Sequence, residues 1–135
     1  MWTEPKTDWV SSDYINYCDY NRIKNNIAHL RTLALNIYVE FPFKDMGNDK
    51  ISYAEFPYAD EFNALEDNLD SIKKHTFPFD TSEKKTWYEN QATPTYKDLN
   101  RMETACLYLY EGLKSQLSIK TRLSITLGRG ISTIK

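Results

Sequence analysis

A chain of 135 residues and 15.9 kDa has room for one hydrophobic core and not for two ordinary enzyme lobes. Hydrophobic residues at 41%, charged ones at 27%, four Gly and five Pro exclude collagen-like, low-complexity and disordered classes, and a mean hydropathy of -0.64 predicts a chain that folds in water. Five basic groups and no acid within 114–135, set against a net charge of -2, leave -7 on residues 1–113. The body is therefore acidic and the tail basic. Spread this thinly, the basic residues form no dense patch, so nucleic acid is not the expected partner. The longest uncharged apolar runs, such as residues 105–110, fall well short of the roughly 20 residues that cross a bilayer. Residues 1–8 are acidic and lack a basic n-region, so neither a membrane span nor a signal peptide is expected.

The predicted organisation is a single domain, 1–135, of three loop-helix repeats at about 6–39, 40–75 and 76–117, with a C-terminal segment at 118–135. The first repeat opens with Lys6-Thr7-Asp8-Trp9. Asn16 and Asp19 then have capping-box spacing, and Tyr20, Ile23, Ile27 and Leu30 recur at helical spacing, predicting a helix over 17–39. The second repeat follows Phe41-Pro42-Phe43 and Lys50-Ile51-Ser52-Tyr53. Its stripe is Phe62, Leu65, Leu69 and Ile72 on a helix over 58–75, with acids at the start and Lys73, Lys74 and His75 at the end, as the helix dipole favours. The third follows Phe77-Pro78-Phe79 and Lys84-Lys85-Thr86-Trp87. Thr95 and Asp98 mark the start of a helix over 95–117 with Leu99, Met102, Cys106 and Leu109 on its stripe. Cys18 and Cys106 both fall in predicted helices and are expected to be reduced.

Residues 105–110 are apolar all the way round, so helix three has a second face for either the chain's own loops or another subunit. Leu107, Tyr108 and Tyr110, with Arg122 and Arg129 beyond, are the candidate interface residues. Apolar residues at 117, 119, 123, 125 and 127 then alternate, and Gly128-Arg129-Gly130 supplies a turn, predicting a short C-terminal β-hairpin on an otherwise mainly α three-helix bundle with long aromatic loops.

The residues carry no catalytic signature and imply no cofactor. His29 and His75 stand outside any metal-binding string, and the two cysteines lack zinc spacing. Asp45-Met46-Gly47-Asn48-Asp49 lacks the distal Glu of a calcium loop and reads as a turn. Glu66 and Asp67 are adjacent on a helix and read as part of a solvated face. What does recur is Asn21, Asn63 and Asn100, poor helix formers at one register, which suggests an amide that binds the backbone of an incoming loop. Trp9, Tyr53 and Trp87 share the Lys-x-x-aromatic register and read as pins holding loops to helices; the alternative is an aromatic surface for carbohydrate or peptide.

The strings Lys6-Thr7-Asp8-Trp9, Asp13-Tyr14-Ile15-Asn16, Asp19 to Ile27, Pro94 to Glu103 and Thr126-Leu127-Gly128 resemble small proteins encoded among the tail and baseplate components of tailed phages and prophages of Gram-positive bacteria. That resemblance implies a virion or assembly component without catalytic residues. Its partners would be other tail or baseplate proteins and further copies of itself, and its location the virion, or the bacterial cytoplasm during assembly.

Overall fold

The computed structural model describes residues 2–52, 59–76, 85–89 and 94–134, with side chains as far as residue 120. Three helices account for its regular structure, α1 (Tyr17–Ala34), α2 (Ala59–His75) and α3 (Tyr96–Ile134), and no strand occurs among the described residues. At the start of α1 the Asn16 side chain accepts from the backbone N–H groups of Cys18 and Asp19, and Asp19 accepts from Asn16 N at 3.0 Å, a complete capping box. At α3 half of that box forms: Asp98 Oδ2 accepts from both Thr95 N and Thr95 Oγ1. α1 stops at Ala34, short of the expected 39. There Asn36 N and Ile37 N donate three residues back, to Leu33 O and Ala34 O, and tighten the chain out of the helix.

All twelve stripe residues are buried, from Tyr20, Ile23, Ile27 and Leu30 through Phe62, Leu65, Leu69 and Ile72 to Leu99, Met102, Cys106 and Leu109. They form one core, which Leu113 extends and which Trp9 and Phe41 join from the loops. Complete burial of an aliphatic or aromatic side chain contributes about 1.5–3 kcal/mol, so this seam outweighs the caps several-fold.

The three helices run in the same direction. Residues near the starts of α1 and α3 meet through Arg22 and Glu103, while Tyr38, just past the end of α1, donates to Gln116 far along α3. Between α1 and α2, Tyr20 meets Phe62 edge to face at 6.0 Å, and beyond the end of α1 Phe41 stacks on His75 at 5.5 Å. Parallel neighbours need a connection that travels back the length of a helix. For 17 residues that is about 26 Å, or about eight extended residues, which accounts for loops longer than an antiparallel bundle would use.

The expected C-terminal hairpin is replaced by helix: α3 continues without a break to Ile134. The spacing Leu123, Leu127, Ile131 and Ile134 fits a helical period as well as the alternation upstream fits a strand. Extending an existing helix adds a hydrogen bond per residue with no new nucleus, against about 1 kcal/mol for each of Gly128 and Gly130.

Candidate functional site

Where residues 3–9, 44–50 and 85–87 pass the helices as straps outside any sheet, their backbone N–H and C=O groups need other partners. Asparagine supplies both from one side chain. Asn21 Nδ2 donates to Lys50 O at 2.7 Å, and Lys50 N donates to Asn21 Oδ1 at 2.8 Å. Asn63 makes the same pair of bonds with Trp87, and Asn100 the same pair with Trp9. The partner of Asn21 is thus Lys50, three residues before Tyr53; Tyr53 itself lies outside the described residues.

A second set of amides sits five residues further along. Asn26 holds both backbone groups of Thr3, and Asn68 holds both of Lys44. Thr3 and Lys44 each lie six residues before a residue held by the first set, so each strap is fixed at two points and spans two helices. Residues 3–9 bridge α1 to α3, and residues 44–50 bridge α2 to α1. The pattern Asn-x-x-x-x-Asn at 21 and 26, and again at 63 and 68, was the available signal; on α3 the matching position is Ala105.

Charge completes two of the three positions. Glu103, 1% exposed, accepts from the indole N–H of Trp9, from Arg22 Nε and Nη2, and from the backbone of Lys6. Glu66, also 1% exposed, accepts from Trp87 Nε1 and from both terminal nitrogens of Arg101. The expectation that Glu66 belongs to a solvated face therefore fails. A carboxylate three residues after Asn63 and after Asn100 points into the seam between helices, where a bidentate arginine and an indole satisfy it. Burial opposes the charges on Arg22 and Arg101, but their bonds to Glu103 and Glu66 prevail and hold both guanidinium groups above their ordinary range. Asp98 is likewise opposed by burial, and bonds from Lys85 and Thr95 hold it below the usual carboxylate range.

Trp9 is 4% exposed with its N–H engaged, so it does not offer a ring face for stacking a sugar or peptide. Tyr110 is packed within the chain, its ring 3.9 Å from that of Trp2 and nearly parallel to it. Leu107 is half-buried and Tyr108 is 51% exposed. Arg122 and Arg129 lie on the backbone of α3, their side chains outside the described residues. Cys106 is buried, which pushes its thiol well above the ordinary range, while Cys18 is exposed. Among the described residues, no group of three or more His, Cys, Asp or Glu converges as a metal site would require, and no helix is long and apolar enough to cross a membrane. No protein-family model matches the chain, and neither a curated protein nor a solved structure shows significant similarity to it.

Proposed function

We propose that the chain is a non-enzymatic assembly protein, built of three loop-helix units tied into a ring, that acts by presenting α3 to other protein surfaces. The observation that carries this is the use of its interior polar groups. Asn26, Glu66, Asn68, Asp98 and Glu103 are buried, and each bonds another part of the chain rather than converging on an open cleft. Such groups rigidify a scaffold and leave none poised for proton or group transfer. α3 supplies the presenting element: at 39 residues it is about twice the length of α1 or α2, and it carries the half-exposed Tyr108 and the basic segment.

The narrower reading, a tail or baseplate component of a tailed phage in contact with other tail proteins, is supported by the sequence resemblance alone. Homo-oligomerisation through α3 is tested by light scattering on the full chain, on Tyr108→Asp and on a chain ending at residue 120. The full chain is expected to exceed monomer mass, and both variants to fall to monomer with helical circular dichroism intact. A full chain that stays monomeric at every concentration removes self-association; a truncation that unfolds returns α3 beyond residue 120 to the core.

A further inference from the structure

Counting from the clamping asparagines, α1 and α3 present the same surface to the strap that crosses them, but the two surfaces are furnished differently. On α3, Leu107 and Tyr110 lie seven and ten residues after Asn100, and the Trp2 ring stacks on Tyr110. On α1 the matching residues are Ala28 and Arg31, and the strap brings Phe43, Lys44 and Met46. The result is an open groove of about 460 Å³, within the range of small-ligand sites. Gly47, at φ +72°, is part of the lining, with nothing within 4 Å of where a Cβ would stand.

The groove is lined by one acid, Asp45, whose carboxylate accepts from Gly47 N, and its cations differ in how they are held. Lys24 is 7% exposed and is bonded to Asp49 and to Gly47 O; Lys44 is paired with Asp67. Lys44 is 64% exposed and points its charge at solvent-accessible Asp67, whereas Arg31 sits over an aromatic ring. Its guanidinium lies 4.9 Å from the Phe43 ring centre, and among the described residues its one ion pair is a 3.3 Å contact from Nη2 to Glu40, a side chain 79% exposed. A pair that open to solvent exchanges readily. The positive charge of Arg31 is therefore available over an aromatic ring, beside an apolar wall of Ala28, Phe43 and Met46. A planar fork with one unit of charge matches a carboxylate, which it can hold through two parallel bonds, better than a phosphate dianion, and the wall favours a hydrocarbon behind it.

We propose that the groove between α1 and residues 43–47 binds a monocarboxylate carried on a short hydrocarbon stem, with Arg31 holding the carboxylate in place of Glu40. This site is independent of the assembly reading. Titration of the isotope-labelled full chain with butyrate, acetate and inorganic phosphate, followed by two-dimensional NMR, tests it. Butyrate is expected to shift the amides of Ala28, Met46 and Gly47 and the Arg31 Nε–H resonance saturably, with acetate and phosphate several-fold weaker. Arg31→Gln is expected to weaken butyrate at least tenfold, and Ala28→Leu, which restores the furnishing found on α3, to abolish the shifts while the indole resonances of Trp9 and Trp87 stay in place. No saturable shift with butyrate, equal effects of all three anions, or an unchanged titration in folded Arg31→Gln would overturn the proposal.

Discussion

Replacing Asn100 by Ala removes the two bonds that hold the backbone of Trp9 against α3, a contact between residues 91 apart in sequence. A protein hydrogen bond contributes a net 0.5–1.5 kcal/mol, so the loss of this pair should cost about 1–3 kcal/mol. With an unfolding entropy of about 2.1 cal/mol/K per residue, that lowers the melting temperature by about 4–11 °C. Asn63→Ala should cost a similar amount, since it removes the same two bonds from Trp87. Asn25→Ala, which loses an exposed contact to Asp49, should stay within about 0.5 kcal/mol. Urea unfolding gives the free energies, and hydrogen exchange locates them: the Trp9 amide should lose protection in Asn100→Ala ahead of the α1 and α2 cores. An Asn100→Ala protein as stable as Asn25→Ala, or with the Trp9 amide still protected, would refute the clamp as a source of stability.

Glu66→Ala leaves Arg101 and the Trp87 indole without their buried acceptor and should cost about 3–5 kcal/mol in denaturant unfolding. Glu66→Leu combined with Arg101→Leu should recover most of that; a single variant costing under about 1 kcal/mol would contradict the geometry. Asp98 has a folded pKa below its unfolded one, so the unfolded chain binds more protons as pH drops. Its stabilisation is complete above the unfolded value of about 4 and is lost as pH falls through the depressed folded value. Asp98→Asn should therefore flatten the acid limb of the stability-pH curve and leave its shape near neutrality unchanged.

The core was legible because burial of a single stripe imposes a period that no other constraint disturbs: Tyr20, Ile23, Ile27 and Leu30 repeat their spacing in α2 and α3. The clamping asparagines were legible for the opposite reason, as residues that neither propensity nor burial would favour at a repeated helical position. Their partners were not. A side-chain amide bonds the backbone, and backbone groups carry no sequence signature, so Lys50 served Asn21 as well as an aromatic would and the Lys-x-x-aromatic register pointed three residues too far on. Glu66 and Glu103 were hidden because a buried carboxylate and a solvated one are written with the same letter. Only their shared offset from Asn63 and Asn100 distinguishes them, and on α1 that offset holds a lysine. α3 beyond residue 120 satisfies two periods at once, and the helix already in place decides between them.

That lysine shows how tightly the buried polar contacts depend on one another. On α3, Glu103 faces the Trp9 indole, Arg22 of the neighbouring helix and the backbone N–H of Lys6. On α2, Glu66 faces Trp87 and Arg101 in the same way. On α1 the glutamate is Lys24, the tryptophan is Lys50 and the position of the arginine is Ala64, so all three partners have changed together. Changing the glutamate or the arginine alone would bury a charge without a counter-charge, the costliest arrangement a core can hold. With all three changed the contact survives at reversed polarity. Lys24 donates to the carbonyl of Gly47, at the strap position where Lys6 donates its N–H to Glu103, and Asp49 supplies the negative charge that Glu103 takes from Arg22 with the sign reversed. The strap is held at either polarity, but no indole stands at Lys50, and the open groove beside Arg31 lies along that same strap.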